Sequence, residues 1–344
     1  MKKFGKLVIL FMLVAILSAA CAPTPATPAA PGEEPTAPVE SAAPFKVAVV
    51  TPSAINDLAF SQSMYDTLVQ IQEEMGSDKF EFVVSDGMFV VEDAATAIRD
   101  YASQDYDLIL AHGSQYGSAL KEIAPDFPEV SFAWGTAGDR FGIPNIFAYE
   151  AFSQEGGYVF GVLAAALTKS DVIGVVGPVE VGDAKLYVDG FVAGVNASDP
   201  AITVNVNYIG SFGDVALASE AAQTHIGAGA DVLTGSAQMV VGAIGVAKEK
   251  GVLWFGTQAD QASLAPDIVV ASQVYDWSHI VKDMISLVQS GTLGGKSYAL
   301  SLENDGLVLA YNPGYNLDPD VKALGDAAVQ GIIDGSITIG VGGE

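Results

Sequence analysis

The chain has 344 residues and a formal net charge of −26 at pH 7, from 41 acidic and 15 basic side chains. Nucleic acid repels such a polyanion, and no basic cluster offsets the charge, so the composition argues against a nucleic-acid partner. The chain contains one cysteine, which excludes an internal disulfide, so the stability of the fold must come from its core.

The N-terminal residues have the pattern of an export signal. Three lysines precede an apolar run at 7–17 and a stretch of small residues, which predicts a signal peptide over residues 1–20. The next residue, Cys21, stands where bacterial lipoproteins carry the lipidated thiol, although Ser18 replaces the leucine that is usual at its position. The alternative is an ordinary signal peptide followed by a free cysteine.

Residues 21–44 predict a disordered tether, because seven prolines stand among Ala, Thr, Glu and Ser, a mixture too poor in apolar side chains to pack. About 300 residues follow, which is enough for two lobes with a substantial core.

From residue 45 onward, short β-branched runs alternate with longer amphipathic segments. A first series predicts strands at 46–51, 80–85, 108–111, 130–134 and 146–149, with helices near 60–76, 91–103 and 116–124. A second series predicts strands at 172–176, 204–209, 232–234, 252–256 and 268–274, with helices near 154–169, 185–198, 215–227 and 240–250. The remaining predicted elements are a helix at 278–290 and strands at 298–302 and 307–311.

This alternation predicts an α/β fold of two doubly wound parallel-sheet lobes joined by a hinge. The predicted lobes are residues 45–151 plus about 277–312 (N-terminal) and 152–276 (C-terminal), followed by a C-terminal helix and tail at 313–344. The hinge is expected near 151–153 and 274–277. Ligands of open α/β sheets bind beyond the carboxyl ends of the strands, so the residues that follow each strand are the candidates for a site.

Signatures of catalysis are missing from the sequence. The string Gly113–Gly117 has no serine at the position that a nucleophile elbow requires, and GTLGGKS at 291–297 lies between a helix and a strand rather than in the context of a phosphate loop. His112, His225 and His279 lie far apart, without the spacing of metal ligands. We therefore predict a binding protein without catalytic residues, a cofactor or a metal.

Several polar residues follow predicted strands and are candidates for contact with a ligand. Asn56 and Asp57 come after the first strand, where Asp57 could equally cap the next helix. His112 follows another strand, with a role in ligand contact or in loop packing. Asp260 follows the strand at 252–256, where a carboxylate could accept hydrogen bonds from ligand hydroxyls or an amine.

Five segments resemble one protein family in their order and spacing: INDLAFSQS at 55–63, GGYVFGVLAAALTK at 156–169, DGFVAGV at 189–195, NYIGSFGD at 207–214 and GADV at 229–232. The chain resembles the basic membrane protein family of substrate-binding lipoproteins, which includes the purine nucleoside receptor lipoproteins, over residues 45–311. The resemblance implies a type I periplasmic-binding-protein fold that closes on a ligand, with a separate permease and ATPase.

The resemblance also implies roles for individual residues. Phe60 and Phe212 match the two aromatic residues that sandwich a purine, although Phe60 could instead staple its helix to the sheet. Asn56 and Asp57 match positions that address the base, and Asp260 matches the acid that takes the ribose hydroxyls. The remaining candidate ligand-binding residues are Gln62, Gln238, Tyr275 and Trp277, the last of which either closes the pocket or packs the hinge.

One departure from the family pattern concerns ribose. Residues 272–277 read SQVYDW, whereas members with a ribose clamp tend to have lysine where Tyr275 stands.

From the export signal, the predicted fold and the resemblance, we predict a lipoprotein, anchored on the extracytoplasmic face of the cell membrane, that captures a purine nucleoside or purine base for an ABC importer and its permease. The alternative is a ligand-sensing or surface lipoprotein of the same fold that binds another small solute.

Overall fold

The computed structural model describes residues 43–341. The predicted signal peptide, Cys21 and all but the last two residues of the predicted tether lie outside them. Among the described residues, no helix combines the length and the apolar character needed to cross a membrane.

Strands and helices alternate as predicted, with ends that differ by a few residues. The strands are β1 (Phe45–Val50), β2 (Phe80–Ser85), β3 (Leu108–Ala111), β4 (Ser131–Gly135), β5 (Ile146–Ala151), β6 (Val172–Gly177), β7 (Thr203–Tyr208), β8 (Val232–Gly235), β9 (Leu253–Gln258), β10 (Val269–Tyr275), β11 (Ser297–Leu300) and β12 (Leu307–Tyr311). The α-helices are α1 (Phe60–Met75), α2 (Val91–Ala102), α3 (Gly117–Ile123), α4 (Gln154–Leu167), α5 (Gly182–Ser198), α6 (Val215–Gly227), α7 (Val240–Lys250), α8 (Ser278–Gln289) and α9 (Pro319–Ile333).

The strands form two six-stranded sheets, one in each lobe. The first has the order β11-β5-β4-β3-β1-β2 and the second the order β12-β10-β9-β8-β6-β7. All pairs in the first sheet are parallel, and in the second only β12 runs antiparallel to its neighbour β10. The predicted fold of two parallel-sheet lobes is confirmed.

The central strands are apolar throughout because helices cover both faces of each sheet. In β1, Val47 and Val49 contribute to one buried cluster, whereas Ala48 and Val50 contribute to another. All four residues of β3 are buried in the same way. This pattern explains why the strands read as continuous apolar runs rather than as alternating ones.

We predicted that residues 277 to about 312 return to the first lobe. This prediction needs a correction, because β12 lies in the second sheet. After β11 the chain turns through Ser301–Gly306, and β12 then pairs with β10 in the second sheet, with Tyr275 opposite Leu307. The chain therefore passes between the sheets three times, after β5, after β10 and after β11. Because β11 and β12 are short and close in sequence, their spacing resembles that of two strands in one sheet.

Close packing of α4 against α5 depends on glycine. A Cβ on Gly161 would collide with the carbonyl oxygen of Phe191, and one on Gly190 would collide with the carbonyl oxygen of Gln154. The absent side chains allow the two backbones to touch, as small residues do at tight helix crossings. This crossing connects the start of α4, directly after the first passage between lobes, to α5.

We expect Gly161→Ala to lower the free energy of unfolding by about 2 kcal/mol, because the added methyl group forces the two helices apart. Gly245→Ala is the matched control, since Gly245 is exposed in α7 and a Cβ there meets nothing within 4 Å. The control should gain up to about 1 kcal/mol from helix propensity. Urea unfolding measures both, and equal stability of the two variants would contradict the proposed basis of the crossing.

Candidate ligand-binding site

A cavity lies between the two lobes, with about 400 Å³ of space free of protein atoms, its mouth included. The first lobe contributes seven lining residues: Pro52, Phe60, Phe89, Gly113, Ser114, Gln115 and Thr136. The second lobe contributes six: Val181, Asp183, Phe212, Ala237, Gln238 and Gln258. Three of the predicted site residues, Phe60, Phe212 and Gln238, therefore lie together around one cavity.

Three lining residues other than glycine have positive φ, and each stands at or just after the end of a strand. The values are 62° at Thr136, 72° at Ala237 and 70° at Gln258. Left-handed backbone is costly for such residues, and it occurs preferentially at functional sites, where the surrounding structure holds it. Three of the eight described non-glycine residues with positive φ thus line the cavity, at or just after the ends of three strands.

Phe60 has one face of its ring covered by His112. The ring centroids are 3.8 Å apart and the planes lie within 2° of each other. Because Phe60 also lines the cavity and is only 6% exposed, the uncovered face of its ring is the one available to a ligand. His112 itself lies behind Phe60 and does not line the cavity.

The hydrogen bonds of His112 define its neutral form. The Nε2–H group donates to the carbonyl oxygen of Phe60 at 3.1 Å, so Nδ1 is the acceptor for the hydroxyl of Tyr149 at 2.8 Å. Complete burial lowers the pKa of His112 to about 3. The imidazole is therefore an uncharged support that holds Phe60 from behind.

Trp277 packs the junction between the lobes rather than the cavity. Its indole Nε1–H donates to Ser63 Oγ at 3.0 Å, and its ring meets Phe60 edge to face at a centroid distance of 6.4 Å. The side chain is fully buried. Of the two roles predicted for Trp277, the structure supports hinge packing.

The polar end of the cavity centres on Asp183, in the first turn of α5. Its Oδ2 accepts hydrogen bonds from the hydroxyl of Tyr275 at 2.9 Å and from Nε2 of Gln258 at 3.2 Å. Burial raises the pKa of the Asp183 carboxyl, and these two hydrogen bonds oppose the shift. Tyr275 thus reaches the site indirectly, because it contacts Asp183 and does not line the cavity.

In the loop after β1, the side chain of Asp57 is hydrogen-bonded to the start of α1. The Asp57 carboxylate accepts hydrogen bonds from the backbone N–H groups of Ala59, Ser61 and Gln62 at 2.8–3.2 Å and from the hydroxyl of Ser53. Asp57 therefore has the capping role that was one of its two predicted functions. Asn56 is exposed and does not line the cavity.

Gln62 and Asp260 line a neighbouring groove, bounded by α1, by β12 and by the ends of β9 and β10, which shares Gln258 with the cavity. Gln62 accepts a hydrogen bond from the backbone N–H of Leu58 at 3.0 Å, and Asp260 is exposed and accepts one from the N–H of Ala262 at 2.9 Å. The structure does not bring these two residues to the cavity.

Asp183 and Gln258 were not predicted as site residues, because α5 starts earlier and β9 ends later than predicted. Helix α5 starts at Gly182 rather than at residue 185, and β9 continues to Gln258 rather than ending at residue 256. Periodicity fixes the middle of an element better than its ends. An acidic residue soon after the first strand of the second lobe was the available signal for Asp183.

The family model described as "ABC transporter substrate-binding protein PnrA-like" matches residues 45–339. A purine-binding protein of Brucella abortus is 28% identical over 268 residues, which cover 78% of this chain and 75% of the relative. BmpA of Lactococcus lactis, an ABC transporter nucleoside-binding protein, is 27% identical over 320 residues, with coverages of 86% and 89%. A solved solute-binding protein of an ABC transporter system from Aeropyrum pernix has a similar fold, with a TM-score of 0.75, 22% identity and coverages of 86% and 93%.

The neutral state of His112 predicts how stability depends on pH. Its pKa of about 3 in the folded protein lies below the value near 6.5 expected on unfolding, so its contribution is complete above pH 6.5 and is lost as the pH falls. Between pH 7.5 and pH 5, the wild type should lose about 2 kcal/mol more than His112→Gln does. Chemical unfolding at both pH values measures the difference.

His279→Gln is the control for that experiment, because His279 is exposed and its pKa is lowered less strongly. Its substitution should change the pH dependence much less. If both variants have the same pH dependence as the wild type, His112 is not held neutral by the fold.

Proposed function

Because the chain belongs to the PnrA-like family of ABC transporter substrate-binding proteins, we propose that it captures a purine base or purine nucleoside between its lobes and delivers it to an ABC permease. The observation that carries this proposal is the position of Phe60 and Phe212, which line the same cavity from opposite lobes. The two relatives named for purine and nucleoside binding support the ligand class.

Stacking accounts for the affinity expected of such a site. A flat heteroaromatic base gains roughly 1 kcal/mol or more from each aromatic ring that it contacts face to face. Phe60 is held rigidly by His112, whereas Phe212 lies on the loop after β7 and is partly exposed. The two rings approach each other as the lobes close, so binding and closure are coupled.

The polar end of the cavity favours a free base over a nucleoside. The thirteen lining residues include no lysine or arginine, and Tyr275, at the position of the ribose-clamp lysine, is hydrogen-bonded to Asp183. Asp260, which the resemblance assigns to ribose, lines the neighbouring groove and not the cavity. We also propose that acylated Cys21 anchors the protein to the extracytoplasmic face of the cell membrane.

Calorimetric titration with adenine, guanine, adenosine, guanosine and ribose tests the proposal. Phe60→Ala and Phe212→Ala should each weaken the binding of the preferred purine by about fivefold or more, because each removes one stacking face. Phe82→Ala is the control, since Phe82 packs against Tyr65 and Phe80 away from the cavity. Binding that survives both substitutions unchanged would contradict the aromatic clamp.

The ligand panel also separates the two purine classes. Binding of bases without binding of nucleosides is the expected result. The protein must be folded and free of bound ligand for this test. If it then binds none of the five compounds, the purine assignment fails and the family membership stands.

A further inference from the structure

Asp183 is a buried carboxylate with no cationic partner among the described residues. It is only 8% exposed, takes part in none of the described ion pairs, and has no lysine, arginine or histidine beside it in the lining of the cavity. The charge of Asp183 also acts on a second acid, Glu150. The pKa of Glu150 is raised by burial and, in addition, by the charge of Asp183. A carboxylate in this setting is stabilised by hydrogen-bond donors or by a cation.

Two neutral side chains satisfy one of its oxygens. The hydroxyl of Tyr275 and Nε2 of Gln258 both donate to Oδ2. The same contacts fix the amide of Gln258, because its NH₂ group must face the carboxylate and its Oε1 must therefore face elsewhere.

The cavity also contains two glutamine oxygens that lack donors. Oε1 of Gln258 and Oε1 of Gln238 are buried and have no hydrogen-bond partner, and the two residues are 2% and 8% exposed. Buried polar atoms are nearly always satisfied in native proteins, so unpartnered ones inside a binding cavity indicate groups that a ligand supplies. Both atoms require N–H or O–H donors.

We propose that Asp183 selects the ligand, with its Oδ1 and the amide oxygens of Gln238 and Gln258 accepting hydrogen bonds from N–H groups on the edge of a planar ring. This inference rests on the proposed function and narrows it to bases that carry an exocyclic amine beside ring nitrogen. Stacking tolerates any flat ring, so the acceptors at the polar end supply the discrimination.

The test compares adenine with unsubstituted purine, which has the same ring system without the exocyclic amine. Titration of the wild type should show that adenine binds at least tenfold more tightly. In Asp183→Asn, the donors Tyr275 and Gln258 hold the amide oxygen, so the NH₂ group faces the ligand's own N–H groups. This substitution should weaken adenine about 30-fold and purine less than threefold.

Two further variants separate recognition from folding. Gln238→Met removes an acceptor without touching Asp183 and should also weaken adenine more than purine. Asp260→Asn removes an acid outside the cavity and should leave both affinities unchanged. Equal losses of adenine and purine in Asp183→Asn, or no loss of either, would overturn the inference.

Benzamidine, a planar amidinium that is not a purine, distinguishes the failure of this inference from that of the proposed function. If the wild type binds none of adenine, guanine, their nucleosides and unsubstituted purine, the purine assignment fails. Binding of benzamidine that Asp183→Asn abolishes would then still support selection by Asp183. Absence of benzamidine binding as well would overturn both.

Discussion

The direction of the strands is the constraint on which the site depends. All strands except β12 run parallel to their sheet neighbours, so the carboxyl ends of each sheet share one edge. Each lining residue of the cavity comes after one of these ends or, as Gln258 does, forms it. The ligand cavity therefore arises where the three passages of the chain bring the two carboxyl edges together, as is general for open α/β sheets.

The aromatic and the polar parts of the cavity lining are held in place by different contacts. At the aromatic end, an uncharged His112 lies between Phe60 and Tyr149, and its two hydrogen bonds hold the stack in one orientation. At the polar end, Tyr275 and Gln258 hold Asp183. In each case a residue behind the lining fixes one that faces the ligand, so the stacking surface and the acceptor are both in place before binding.

The sequence predicted the architecture better than the site. Alternating strands and helices define the two lobes, because burial on both faces leaves a strong apolar signal in each strand. The passage to β12 left no such signal, since a short edge strand can pair in either sheet. Phe60 and Phe212 were identified through a resemblance, and their joint position at the cavity depends on loops whose paths no periodicity describes.

Errors at the ends of elements matter most where ligands bind. The predicted end of β9 falls two residues too early. The prediction therefore selects Asp260, which is exposed, instead of Gln258, which lines the cavity. The positive φ of Gln258 adds to the difficulty, because a left-handed residue at a strand end breaks the alternation from which side-chain direction is predicted. The residues that carry specificity are therefore the hardest to identify from sequence.

Selectivity in this cavity follows from the cost of leaving acceptors without donors. A ring that stacks on Phe60 and Phe212 but brings no N–H group displaces water from Asp183 and from the two glutamine oxygens without replacing its hydrogen bonds. Leaving a buried polar group unpaired costs about 1–3 kcal/mol, comparable to the gain from one stacked ring. Because three acceptors are affected, the penalty is of the same order as the gain from stacking on both rings, so the site discriminates strongly against flat ligands that lack donors.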